Sequence, residues 1–118
     1  MEFHLTETQK ILKNTAKDFL LNECPLSLVR DMFDDPLGYP PELWNKMAKL
    51  GWLGLIIPEK YGGAGGDFFD LTVLIEEMGR GCMPAPYFPH VISSFTLLEA
   101  ASEIQRQELL PGMATGDL

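Results

Sequence analysis

Proline sets an upper limit on every element this chain can form. Prolines stand at positions 25, 36, 40, 41, 58, 84, 86, 89 and 111, and each removes an amide donor and restricts φ. The long proline-free stretches are 1–24, 59–83 and 90–110, and the second opens on a glycine cluster. A chain punctuated in this way has to fold as several short segments joined by sharp turns.

Within those stretches the apolar spacing is helical. Thr6-Glu7-Thr8-Gln9 is a capping box, and Leu12, Ala16, Phe19 and Leu20 follow on one face with Lys10, Lys13 and Lys17 on the other, predicting a helix over about 7–22. Ser27 is placed to cap a short helix through Phe33. Pro40-Pro41 opens a third that carries Leu43, Trp44, Met47 and Leu50, and Gly51 closes it. Trp52 to Pro58 is an apolar run too short for a stable helix, with 53–57 readable as a short strand. Tyr61-Gly62-Gly63-Ala64-Gly65-Gly66 is a loop. Asp67 caps a strongly apolar helix with Phe68, Leu71, Ile75 and Met78 at spacings of three, four and three. Pro84, Pro86 and Pro89 then predict a stiff extended connection, followed by an apolar face of Val91, Ile92, Phe95 and Leu98. Ser102-Glu103-Ile104-Gln105 repeats the capping box before a last helix that Pro111 is expected to interrupt. No period-two run of useful length appears. The fold class is therefore all-α: one domain over 1–118, an orthogonal bundle of about five or six helices with a glycine-rich loop between the third and fourth.

Composition excludes several roles. With 118 residues, 46% hydrophobic and 22% charged, the chain is long enough to bury a core without metals or disulfides. Residues 1–30 are balanced in charge, so the whole net charge of -8 falls in 31–118, which disfavours nucleic acid and anionic membrane surfaces. No apolar run approaches a membrane span. The Met1-Glu2-Phe3-His4 start does not read as a secretory leader. Cys24 and Cys82 are too few and too distant for a disulfide framework or a CxxC site, and read as reduced thiols in a cytoplasmic compartment.

No catalytic cluster emerges from the residues. The glycine loop fails the G-x-G-x-x-G spacing, because counting from Gly63 reaches Phe68, and no Gly-Lys-Ser/Thr is present, so a structural turn is the stronger reading. His4 and His90 lack ligand-spaced partners and read as ordinary surface or capping residues. Glu76-Glu77 reads as a solvated helix face, and Asp34-Asp35 as a turn before Pro36. Ser93 and Ser94 have no base near them in sequence, and Cys82 follows a helix end that does not activate a thiol.

The order of segments carries more. Leu43 through Leu55, then Ile57-Pro58-Glu59-Lys60-Tyr61-Gly62-Gly63, Glu76-Glu77-Met78-Gly79-Arg80, and finally Glu103-Ile104-Gln105 with Leu110-Pro111-Gly112-Met113-Ala114-Thr115-Gly116 resemble, in sequence and order, the N-terminal domain of acyl-CoA dehydrogenases. That resemblance implies a flavin-dependent enzyme acting on an acyl-CoA thioester. A glutamate base takes the α proton and FAD accepts the β hydride, with an electron acceptor as second substrate. It also implies that a β-domain and a C-terminal helical domain follow in the complete enzyme, which is expected to be a homo-oligomer. The flavin and the base are expected there, so this chain is expected to be inactive and flavin-free alone. On the helix after Pro89, Phe88, Ile92 and Phe95 are the expected wall of the acyl pocket, although the same stripe reads equally as bundle core. Ala101, where many members carry glycine, and Pro84-Ala85-Pro86-Tyr87 depart from the straight-chain pattern and leave room for a bulky or branched acyl group. Acyl-CoA oxidases and flavin monooxygenases share the domain, and a free-standing helical interaction module is the alternative from a different class. Trp44 and Trp52 are expected to pack near the glycine loop and the fourth helix.

Overall fold

The computed structural model describes residues 4–118; the first three residues of the N-terminus, part of the reading of no secretory leader, lie outside the described residues. Six helices follow in order: α1 Glu7–Glu23, α2 Leu26–Phe33, α3 Pro41–Lys49, α4 Phe68–Arg80, α5 Tyr87–Ala100 and α6 Glu103–Thr115, with no strand among the described residues. Helix starts obey local chemistry. The Thr6, Asp67 and Ser102 side chains each accept from the amide three residues on, and in each case the third residue bonds back to the cap, so two orphan donors are satisfied at once. Gly51 and Gly116 terminate α3 and α6 in the left-handed region, at φ 81° and 82°.

Four expectations need correction. Ser27 caps nothing: α2 begins at Leu26, behind Pro25, two residues earlier than a Ser27 cap would place it, with no side-chain cap. The 53–57 run is not a strand but a 3₁₀ turn at Trp52–Gly54 followed by further turns, because its backbone bonds close locally, Leu55 to Trp52 and Ile57 to Gly54. The stiff connection before α5 is shorter than expected, since Pro89 lies in that helix's first turn, where an amide has no partner to lose. Pro111 does not end α6, which continues to Thr115. Buried Leu110, Met113 and Ala114 pack against Ile57 and Tyr61 and hold the helix together across the missing hydrogen bond.

The molecule is a slab of 43 × 40 × 20 Å, about two helix diameters thick. Helices α1 and α4 lie side by side and run in the same direction: Gln9 meets Asp70 near their starts at 3.1 Å, and Cys24 meets the Gly81 carbonyl at their ends. The main core gathers Ala16, Leu43, Met47, Trp52, Leu74 and Val91 between those helices, α3 and α5. A second, smaller core under α6 encloses Ile57 and Tyr61.

Candidate functional site

Helix α5 carries the site, and its orientation is fixed from the buried side. The Tyr87 hydroxyl donates to the Trp52 carbonyl at 2.7 Å, and His90 Nε2 lies 2.8 Å from the Leu53 carbonyl, so that nitrogen carries the proton. Burial pushes the His90 imidazole below its ordinary pKa, outweighing the opposing effect of the Leu53 bond. Burial alone raises the Tyr87 phenol well above its usual range. Ser94, fully buried, donates to the His90 carbonyl. The Trp52–Leu53 turn therefore grips α5 at two successive carbonyls.

With that face locked inward, the opposite face is presented outward. Phe88 is 62% exposed and Ile92 48%. Phe95 is half-buried, and its ring centroid lies 5.3 Å from that of Phe68 on α4. Phe68 and Phe69 at the start of α4 are exposed as well, at 65% and 75%. The three positions expected on one face thus share it, and they join an aromatic extension from α4 that spacing within α5 could not reveal. Phe88 and Ile92 belong to no core cluster of the described residues, whereas Phe95 packs in part against the main core.

The remaining candidates are placed as follows. The glycine loop is closed on itself: the amides of Gly63, Ala64, Gly65 and Gly66 donate to the carbonyls of Pro58, Gly54, Ile57 and Leu55. A pyrophosphate cradle needs those amides free and convergent, so the loop does not fit a flavin or nucleotide phosphate, and no chemistry is routed through it. His90 is a buried cross-link, which corrects the surface or capping reading, while His4 is exposed. The Glu76-Glu77 reading is half corrected. Glu76 is solvated and paired with Arg80 at 2.9 Å, but Glu77 is only 3% exposed, with Lys13 Nζ at 4.0 Å and Arg80 Nε at 3.7 Å. Its register with Leu74 and Met78 turns it toward α1. Cys24 is buried and Cys82 exposed, and both are free thiols. Burial, then the neighbouring Cys82, raises the Cys24 pKa. Trp52 is buried in the cluster that includes α4, as expected. Trp44 is half-buried, packs against the same cluster, and has its ring against those of His90 and Tyr39.

These features define a class: a helical domain whose buried polar bonds fix one helix so that its aromatic face stays available for something else to cover. Comparison with known proteins specifies it. Residues 6–117 match the description "Acyl-CoA dehydrogenase, N-terminal domain", and the chain belongs to that family. It is 30% identical over 113 residues to the acyl-CoA dehydrogenase IpdE2 of Mycolicibacterium smegmatis, covering 95% of this chain and 36% of that protein. Among solved structures, a variant of the Tcur3481-Tcur3483 steroid ACAD is similar with a TM-score of 0.85 at 29% identity, covering 93% of this chain and 30% of that one. A FAD-dependent dehydrogenase is similar at 0.73 and 31%, covering 99% and 30%. The chain thus spans about a third of the length of the relatives it matches.

Proposed function

We propose that this chain is the helical acyl-pocket wall of an FAD-dependent acyl-CoA dehydrogenase that oxidises an acyl-CoA thioester between its α and β carbons and passes the electrons to an acceptor. The observation that carries this reading is the exposed run of Phe88 and Ile92 with Phe95 and Phe68 on one side of the domain. Such a contiguous apolar surface marks a binding face. In the complete enzyme these side chains would exclude water from an acyl chain and set its allowed width. The departures at Ala101 and Pro84-Ala85-Pro86-Tyr87, and the likeness to a steroid ACAD, favour a bulky acyl group. The flavin and the catalytic base would be supplied by sequence after Leu118, leaving this chain alone silent. The complete protein is read as cytoplasmic, in keeping with two free thiols, and as a homo-oligomer, which its native mass would test.

The direct test is steady-state kinetics of the complete protein with acyl-CoA esters of increasing bulk and an artificial electron acceptor. Burying one Phe side chain is worth about 1.5–3 kcal/mol, so Phe88→Ala should lower kcat/KM by about tenfold to a hundredfold. The loss should fall mainly on KM, because this contact is made equally in ground and transition states. Ile92→Ala should act in the same direction by a smaller factor. Unchanged kinetics in both variants would remove α5 from the pocket, and a colourless complete protein would remove the flavin.

A further inference from the structure

Helices α1 and α4 run in the same direction, so their C-terminal ends finish side by side, and a cysteine follows each. The two helices press together at Leu20 and Gly81, where a Cβ on the glycine would come within 3.2 Å of the Leu20 side chain. One turn beyond Leu20, the buried Cys24 lays its sulfur 4.0 Å from the Gly81 carbonyl oxygen. Cys82 is the next residue. Peptide geometry puts its Cα within about 7 Å of the Cys24 sulfur. Disulfide-linked residues have Cα atoms about 4.4–6.8 Å apart, so a modest swing at the end of α4 brings the two sulfurs into bonding range.

The backbone at Cys82 is an outlier that points the same way. It takes φ 52°, and no other non-glycine residue among those described lies in the left-handed region. The Cys82 amide donates to the Gly79 carbonyl at 3.2 Å, and the Met83 amide donates to the Met78 carbonyl at 3.1 Å. That pair of bonds is the helix ending in which glycine usually takes the left-handed position. A cysteine there is held exposed in a conformation that crowds its Cβ, and strain of this kind concentrates at functional positions. Cys24, although buried, lines a groove of about 360 Å³ together with Leu20, Leu26 and Gly81, so its sulfur stands close to the surface.

We propose that Cys24 and Cys82 are a redox pair, which a low-molecular-weight disulfide oxidises to an intramolecular bond tying the end of α1 to the end of α4. The exposed Cys82 reacts first. Its sulfur gives its proton to water and attacks one sulfur of the oxidant, which leaves a mixed disulfide on Cys82 and expels one thiolate. Cys24, kept as the thiol by burial until then, gives up its proton in turn and attacks the Cys82 sulfur, expelling the second thiolate. The two cysteines lose two electrons, the oxidant's S–S bond takes them up, and the two protons end on the released thiols. In a reducing compartment the bond is transient, as redox-sensing disulfides are.

The test treats the complete protein with glutathione disulfide, alkylates the remaining thiols, and maps an unreduced tryptic digest by mass spectrometry. Cys24 falls in the peptide 18–30 and Cys82 in 81–106. These two peptides should appear joined, and dithiothreitol should release them. The joined species should form about tenfold or more faster in the folded protein than in urea, where a long flexible loop has to close first. Glutathione retained on Cys82 with Cys24 alkylated overturns the proposal. So do two alkylated cysteines, a bond from either to a different cysteine, or equal rates in the folded and unfolded protein. Cys24→Ser should trap the mixed disulfide on Cys82, and a Cys82 that stays unmodified in that variant also counts against the pair. The parent digest decides the question even where Cys24→Ser does not fold. Neither flavin nor acyl-CoA enters the readout, so its result is independent of the function proposed above.

Discussion

Gly63 has no space for a side chain, because a Cβ there would collide with the Ile57 carbonyl and side chain. Both lie in the tight turn whose carbonyls receive the glycine-loop amides. Gly63→Ala should therefore destabilise the domain by about 1–3 kcal/mol, the usual cost of forcing atoms into a packed site, seen as a lowered midpoint in urea. A midpoint unchanged from the parent would mean that the loop relaxes freely and does not anchor the 52–58 turn. His90 gives a second residue-scale expectation. Its pKa is lowered from 6.5 in the folded state, so below about pH 6.5 the unfolded chain binds more protons than the folded one. The stabilisation from neutral His90 is then complete above pH 6.5 and is lost progressively as pH falls below that value. Urea titrations at pH 7.5 and 5.5 should show this loss, and His90→Gln should reduce the difference. Glu103, whose carboxyl is held below its ordinary value chiefly by the Tyr61 hydroxyl, acts in a more acid window. Its contribution fades only as pH falls below about 4.5, so the two effects are separable. Little of this is legible in the sequence. His90 has no partner within α5 that marks it, because its partner is a backbone carbonyl 37 residues away, and carbonyls have no signature in sequence. Glu77 escapes a sequence reading for a related reason: adjacent glutamates look alike until α1 covers one of them.

At the scale of elements, capping chemistry is local and can be read from the order of residues alone. All three boxes, at Thr6, Asp67 and Ser102, form with both hydrogen bonds in place. Ser102→Ala should cost about 1 kcal/mol, the usual value of an N-cap side chain, with no change in the fold, as thermal melts would show. Pro111 is the opposite case. Local chemistry says that it ends a helix, yet α6 passes through it with Leu110 and Met113 buried on either side. Its own ring is exposed, so Pro111→Ala should restore a donor without disturbing the core. The expected gain is about 1–2 kcal/mol, less than the full interior cost because proline also restricts the unfolded chain. A loss of stability in that variant would show that the ring supports packing after all. The same logic explains Pro89, which is harmless in the first turn of α5, and the Trp52–Gly54 turn, whose closure depends on bonds too short in range to leave a periodic pattern.

For the whole molecule, the slab shape decides what is left uncovered. A domain about two helices thick has broad faces, and α5 contributes one face to the core, a second to a groove beside Trp44, and a third, with Phe88 and Ile92, to the outside. Exposed aromatics at Phe68, Phe69 and Phe88 make the isolated 118-residue chain prone to self-association. Sedimentation velocity over a concentration series should show this as a rising average mass, and Phe88→Glu with Ile92→Glu should shift the chain toward monomer. A concentration-independent monomer in the parent chain would argue that the patch is too dispersed to drive association.

The sequence by itself determined the number and class of the elements, most of their starting points, and through the order of its motifs the family to which they belong. These follow from interactions between residues a few positions apart, or from a linear pattern along the chain. Only the tertiary structure decided which face of α5 is buried, that the glycine loop is closed on its own carbonyls, and that one of two adjacent glutamates is enclosed. Each depends on atoms brought together from distant segments. The Phe88, Ile92 and Phe95 stripe shows the division clearly. Helical spacing placed the three on one face, but spacing cannot tell an inward face from an outward one. That choice was made by the carbonyls of Trp52 and Leu53, which bond Tyr87 and His90 and so turn Phe88 and Ile92 outward while Phe95 stays half-buried against the main core.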